Sequence, residues 1–408
     1  MAIADMPITG ITDNPVNRVA SPYEIIAAAK WSSLSTFANQ WFYHPDMMAI
    51  RIILIAIAAQ FDPHSEPIWM FLNGPSGSGK TALGINPMMN LPNITTVDSL
   101  TVHTFLSGYI GSENAGLLKQ IGPSGTILFP DFTTFLSLRD DNRRELASQM
   151  RRIYDGKLDT KNGAKTSDSW SGKLTIIAAV TPIIERYWGL LREMGDRFLQ
   201  VRWPRYHGPS VAAASRKHQG REKFIADNLL RLTTDFFTSP RINYNGIPDV
   251  TDAQGDQLAA MAEIVCYLRA QVNREATGNR EIRDVPQIEQ TGRVGKGLPA
   301  LVRYSAVLMR RDYINADDMA IASRIAIDCL PHTRAMIIQS IPPDDSIGAT
   351  DLMKLTNINP STLKWNMDEL SALGIIDISH SDIETSYKMS SHIREMWKMA
   401  FPGHLNPT

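Results

Sequence analysis

Cysteine is scarce in this sequence: two in 408 residues, Cys266 and Cys329, with no CxxC or Cys/His spacing. That excludes a disulfide framework and a zinc ribbon, and it predicts two buried thiols in a reducing compartment. Neither sign of charge prevails, because 41 Lys and Arg meet 42 Asp and Glu. No global field draws the chain to nucleic acid or membrane, so any such binding must come from local patches. Long apolar runs are missing as well. The greasiest stretch, Ile52 to Ala59, follows Arg51 closely and falls far short of the about 20 residues a bilayer requires. Met1 to Ser21 has no basic start followed by an apolar run, so it does not read as a signal peptide. A cytoplasmic protein without membrane contact is expected. No internal repeat and no low-complexity tract occurs.

What is present is a chain with room for two or three cores and the composition of a folded globular protein, 43% hydrophobic and 20% charged. Residues 1–22, rich in Pro, Asn, Thr and Ser, read as a loose arm. Two helices are expected next, the second opened by Pro45-Asp46. Five apolar or β-branched runs then alternate with helical patterns, at 68–72, 94–97, 126–129, 174–180 and 198–203. Strands alternating with helices predict an α/β fold with a five-stranded parallel sheet. Beyond Pro209 the texture turns helical, with 278–290 a polar connector. After Pro342-Pro343, two short helices flank Asn357-Ile358-Asn359, and Gly374 ends the second in a left-handed cap. A hairpin of 375–379 with 385–389 follows, and helix-turn-helix plus hairpin predicts a winged helix.

The chemistry begins where the first strand feeds Gly74-Pro75-Ser76-Gly77-Ser78-Gly79-Lys80-Thr81, a GxxxxGK[ST] loop. Its glycines allow backbone N–H groups to wrap phosphates, and a helix expected after Lys80 adds its positive end. Lys80 is predicted to reach the β- and γ-phosphates of ATP, and the Thr81 hydroxyl to hold Mg²⁺. The run Thr126 to Pro130 ends in Asp131, the kind of carboxylate P-loop enzymes use on the metal. Only one strand, Ile94–Val97, fits between loop and Asp131, which suits AAA+ and RecA-like proteins better than nucleotide kinases. The Leu174–Val180 run, beside the Asp131 strand, brings Thr181 near the γ-phosphate. At Met194-Gly195-Asp196-Arg197-Phe198, Arg197 stands at an edge from which an arginine can reach a neighbouring subunit's nucleotide, the alternative being a surface ion pair with Asp196 or Glu193. Such arginine fingers are worth about 10³–10⁵ in rate.

On these residues the run TIIAAVTPIIERYWGLLREMGDRFLQVRWPR resembles the AAA+ stretch of minichromosome-maintenance helicases. In that family a strand ends in a sensor Asn before Pro, and a helix leads to an Arg-Phe finger. Thr181 takes the sensor position here and Arg197 the finger position. The later run GRVGKGLPALVRYSAVLMRRDYINADDMAIASRIAID resembles that family's helical lid, which implies that Arg293 is a second sensor at the γ-phosphate. Over about residues 45–206 the chain also resembles ATP-binding proteins of phages and bacterial mobile elements. The implied architecture is an arm with helices (1–66), an AAA+ α/β core (67–206), a helical lid (207–340) and a winged helix with tail (341–408). One departure stands out. AAA+ ATPases usually carry Glu directly after the metal Asp, whereas here Phe132 follows Asp131. Either another residue polarises the water, Glu145 being one option, or hydrolysis is slow.

Two basic regions admit two uses each, contact with DNA or a plain solvated surface. Between Tyr154 and Leu174 a hairpin holds Lys157, Lys161, Lys165 and Lys173 against Asp159 and Asp168, and it resembles the hairpin such helicases point into a DNA channel. From Arg197 to Arg231 eight Lys or Arg meet two acids. The winged helix runs the other way, with seven acids and four bases over 346–395, which favours a protein partner over DNA. The expectation is an oligomeric, hexameric ATPase acting on DNA, a helicase or translocase. The alternatives are an ATP-gated assembly switch with slow hydrolysis and, less favoured, a winged-helix regulator.

Overall fold

The computed structural model describes residues 18–106, 116–161, 167–187, 197–275, 281–284, 288–381 and 384–402. The expected loose arm lies almost wholly outside them. The chain divides into two compact units. One gathers the described residues up to Asp249 with Ala300–Ile314; the other gathers Val250–Pro299 and the described residues from Asn315 onward.

The first unit opens with α1 (Pro22–Trp41) and α2 (Met47–Gln60). Ser21 accepts the Glu24 amide at 3.2 Å, and Pro22 sits in the first turn, where its missing N–H goes unmissed. Asp46 caps α2 through the Ala49 amide at 2.9 Å. Every residue from Ile52 to Gln60 is buried, so α2 is a core helix rather than an amphipathic one. β1 (Trp69–Asn73), β2 (Ile94–Thr96), the short α3 (Leu117–Ile121) and β3 (Ser124–Phe129) follow. Next come α4 (Thr133–Leu136), α5 (Asp140–Tyr154) and the hairpin of β4 (Lys157–Lys161) and β5 (Ser167–Ser171). The strands β6 (Lys173–Val180) and β7 (Phe198–Arg202) complete the set.

Five of these strands form one parallel sheet in the order β2-β3-β6-β1-β7, and they are the five apolar runs of the sequence. α2 packs on β3 and β6. Opposite hydrophobic demands meet in a ring cluster, where Phe71 stacks on Phe198 at 4.0 Å and the Trp69 indole donates to the Leu174 carbonyl at 2.8 Å. Beyond β7 come α6 (Pro209–His218) and α7 (Glu222–Thr238), the latter packed on α1. α6 buries no residue, so it has no apolar stripe by which a sequence reading finds a helix.

The second unit begins with α8 (Asp252–Arg269), started by a Thr251/Gln254 capping box. The stretch read as a polar connector holds one short strand, β9 (Ile282–Asp284), which pairs antiparallel with β8 (Asn273–Arg274) just before that stretch. α9 (Gly292–Leu308) carries Arg293 in its first turn and passes at Ala300 into the segment that belongs to the first unit, and α10 (Ala316–Asp328) starts on an Asn315/Asp318 capping box. α11 (His332–Ser340) and β10 (Ser346–Gly348) lead to α12 (Ala349–Thr356) and α13 (Pro360–Ala372). β11 (Ile376–His380), β12 (Thr385–Met389) and α14 (Ser391–Ala400) end the chain's described part. Asn357 takes φ 54° and Gly374 φ 69°, the left-handed stops that end α12 and α13. β10, β12 and β11 form a three-stranded antiparallel sheet, and α14 packs along α8. Cys266 and Cys329 are buried and in no disulfide. None of the described helices is long and apolar enough to cross a membrane.

Candidate functional site

β1 delivers its loop at the carboxyl edge of the sheet. Asn73, the last strand residue, gives its carbonyl to the Trp203 amide at 2.7 Å, and Gly74 donates to Val180 at 3.2 Å. A side chain at Gly74 is impossible without rearrangement, because a Cβ there lies 2.6 Å from the Cβ of Trp203. Gly77 and Gly79 take φ 75° and 87°, where L side chains cost about 1–2 kcal/mol. The Trp203 indole then donates to the Ser78 carbonyl at 2.9 Å, so one tryptophan braces both ends of the loop.

The helix expected after Lys80 is a single widened turn, π-helical from Lys80 to Ile85, followed by a 3₁₀ turn Asn86–Met88. Pro87, which lacks an N–H, stops it from running on. Lys80 folds back into the loop: its ammonium donates to the carbonyls of Gly74 at 2.6 Å and Pro75 at 2.7 Å. Burial pulls its pKa below the ordinary lysine range, and the Asp131 charge acts in the opposite direction. Lys80 and Asp131 are thus within electrostatic reach of each other. Asp131 itself is exposed and accepts the Thr133 amide at 2.9 Å. Thr81 is exposed and Thr181 half-buried, and the Thr181 backbone carbonyl accepts the Ile184 amide at 3.0 Å in the turn after β6.

A cavity of about 430 Å³ opens beside the loop, lined by Pro75 to Gly79 on one side and by aromatic rings on the other. Tyr43 meets His44 at 4.4 Å and Tyr206 at 5.5 Å, each edge to face. His44 holds φ 43°, a left-handed conformation unusual outside glycine. The volume lies in the range of small-ligand sites, and the lining offers flat aromatic faces beside the glycine-rich loop. Among the described residues no three His, Cys, Asp or Glu side chains gather as metal ligands. A hydroxyl and one carboxylate, Thr81 and Asp131, are hard oxygen donors of the kind Mg²⁺ takes alongside phosphates and water.

The chain matches no family model and no curated protein.

The other residues singled out in the sequence fall in different places. Arg197 precedes β7, whose first residue Phe198 is in register with Trp69, so it sits at the amino edge of the sheet, away from the loop. It is buried, pairs with Asp155 through two bonds of 3.0 Å, and lies 5.2 Å over the Tyr154 ring. Arg293 is exposed and belongs to the second unit. Lys157 is exposed at the start of β4, and Lys161 ends that strand. Lys165 lies outside the described residues.

Lys173, counted with the hairpin cations, is instead turned inward. Its ammonium donates to Ala59 at 3.1 Å, to the Asp62 carbonyl, and to Ser65 at 2.7 Å. Glu145 lies exposed on α5, accepting a hydrogen bond from Gln149 at 3.4 Å one turn along. Sequence reasoning missed Asn73, Trp203, Arg202, Glu185 and the Tyr43/Tyr206 pair. The two Pro-flanked aromatic clusters, Phe42-Tyr43-His44-Pro45 and Trp203-Pro204-Arg205-Tyr206-His207, are the signal in the sequence from which the cavity lining could have been found.

Proposed function

We propose that this chain is an ATP-binding protein of the AAA+ type that assembles into a ring and acts on DNA. The observation that carries the reading is the grouping of Lys80, Asp131 and the glycine loop at one sheet edge, beside an aromatic cavity of about 430 Å³. The triphosphate lies along Gly74–Thr81, with Lys80 exchanging the loop carbonyls for β- and γ-phosphate oxygens. Thr81 and Asp131 hold Mg²⁺, which neutralises charge on those oxygens. The base stacks in the Tyr43/Tyr206 cavity. Thr181 stands at the end of β6, between the loop strand β1 and the Asp131 strand β3, as a γ-phosphate sensor in an AAA+ core does. Arg197, at the opposite edge, serves the neighbouring subunit's nucleotide, and Arg293 acts as the second sensor. Lys157, Lys161 and Lys165 offer the β4–β5 hairpin to DNA, while the acidic last domain, a winged helix, docks protein.

Binding of a fluorescent ATP analogue tests the foundation. Wild-type protein is expected to bind it with Mg²⁺ and to hydrolyse ATP faster with DNA present. Lys80→Ala is expected to weaken binding by about 10–100-fold, the loss of a charge-assisted phosphate contact. Wild-type protein that binds no nucleotide ends the reading, and wild-type protein indifferent to DNA ends its DNA part.

A second reading, an ATP-gated assembly switch with slow turnover, is favoured by one observation: the residue after Asp131 is Phe132, 1% exposed and committed to the core. Oligomerisation on ATP without strand unwinding, followed by light scattering and an unwinding assay, separates the two.

A further inference from the structure

The carboxyl edge of the sheet carries an ion pair that the loop, the metal side and the cavity leave unused. β6 and β7 are the two neighbours of β1, so whatever follows β6 and whatever ends β7 flank the loop that β1 feeds. Arg202, in register with Asn73, donates from Nη1 to Glu185 Oε1 at 2.6 Å. Asn73, the residue before Gly74, donates from Nδ2 to the same oxygen at 3.3 Å. Its own Oδ1 is buried with no hydrogen-bond partner among the described residues. Glu185 follows Thr181 by four positions, in the 3₁₀ turn Pro182–Tyr187, and keeps 27% of its side chain exposed. A carboxylate is therefore held, still accessible to water, at the edge where a γ-phosphate would lie.

Hydrolysis requires a group that orients a water and takes its proton. Phe132 is buried among rings and has no such group, and Asp131 is spent on the metal side. We propose that Glu185 is the carboxylate that activates the attacking water, and that Arg202 is its latch, turning to the γ-phosphate when MgATP enters. The inference rests on the nucleotide reading of this site. In the step itself the water oxygen bonds to the γ-phosphorus while the bond from that phosphorus to the bridging oxygen breaks. The electron pair of the broken bond leaves on ADP. The water's proton passes to the Glu185 carboxylate and from there to the released phosphate. In this structure the carboxylate is tied to the Arg202 guanidinium, and a carboxylate held in that pair is not free to act as a base.

The test measures binding and turnover separately on the full chain. A fluorescent ADP analogue with Mg²⁺ reports the cradle, and phosphate release from ATP reports the chemistry. The proteins are wild type, Glu185→Gln, Glu185→Asp and the double variant Glu185→Gln/Arg202→Gln. The double variant removes both charges, so it leaves no unpaired arginine to unfold the edge. The expectation is ADP-analogue affinity within about threefold in all four, with phosphate release down at least about 100-fold in both Gln-bearing proteins. Glu185→Asp, which keeps the carboxylate, is expected to recover part of the rate. Phosphate release at the wild-type rate from either Gln-bearing protein overturns the proposal, and so does a wild type that binds nucleotide but releases no phosphate. A wild type that binds no nucleotide fails at the earlier step, the nucleotide reading itself.

Discussion

Phe132 gives its amide to the Ala179 carbonyl at 2.9 Å and its ring to a cluster with Phe135 at 4.9 Å, Phe129 at 5.3 Å and Phe71 at 5.6 Å. With 1% of its surface exposed, the position beside Asp131 points under the sheet rather than toward the loop. A glutamate written in at that position does not become a catalytic base; it becomes a carboxylate in a hydrocarbon core. Losing the ring alone costs about 3–5 kcal/mol, and an unpaired buried charge adds to that. Phe132→Glu is therefore expected to lower stability by at least about 4 kcal/mol, read from the urea midpoint, and not to raise ATP turnover. A variant that unfolds near the wild-type midpoint would falsify this placement of the ring. The contrast with Glu185 is one of surroundings: that carboxylate is half-buried beside a guanidinium and an amide, where an ionised group is tolerated.

Lys173 opens β6 at the base of the hairpin and ties that strand to the last turn of α2 through Ala59 and to the segment after it through Asp62 and Ser65. The same Asp62 accepts the Tyr304 hydroxyl, so three stretches of the first unit meet at one buried polar knot. Burial pushes the Lys173 pKa down to about 8 from an ordinary 10.5, against the pull of Asp62 and Glu66. Below pH 8 the group is protonated in both folded and unfolded chains and contributes no pH dependence. Between 8 and 10.5 the unfolded chain holds more protons, so this lysine makes stability rise with pH in that window. Denaturant titrations from pH 7 to 10.5 are expected to give a wild-type minus Lys173→Met stability difference that climbs above pH 8, and a flat difference refutes the burial. The hairpin lysine is also a measure of what a linear sequence conveys. The five strands were legible because their apolar, β-branched runs are bounded by turns, and the loop was legible because GxxxxGK[ST] is local. Lys173 read as a surface cation because nothing nearby announces that the segment after α2 closes over it. Glu185 and Arg202 are 17 positions apart and meet only through the register of β6, β1 and β7. The cavity joins residues near 43 to residues near 206, a pairing that exists only once β1 and β7 are neighbours.

At the scale of the whole molecule the two ends of β7 carry arginines at opposite edges of the sheet. Arg202 ends the strand at the loop edge, while Arg197 precedes it at the other edge, where its guanidinium is bound to Asp155. Asp155 is 61% exposed and stands between α5 and the hairpin, so the pair joins the proposed finger to the element proposed to meet DNA. For Arg197 to serve a neighbour it must leave Asp155, and a partly exposed ion pair is a modest tether that a phosphate can outbid. The proposed site, built from two subunits, makes a strong demand. On that reading Lys80→Ala spoils the subunit that holds the nucleotide, and Arg197→Ala spoils the subunit that completes its neighbour's site. Each protein alone has no intact interface. Mixed in equal amounts, they form interfaces in which an intact Lys80 faces an intact Arg197, about one in four by random assembly. Phosphate release from the mixture is therefore expected to recover to about a quarter of the wild-type rate, while each variant alone stays near background. Recovery that vanishes on dilution below the assembly concentration ties it to the shared interface. If the mixture stays at background although both variants still assemble, Arg197 is a structural partner of Asp155 and not a finger.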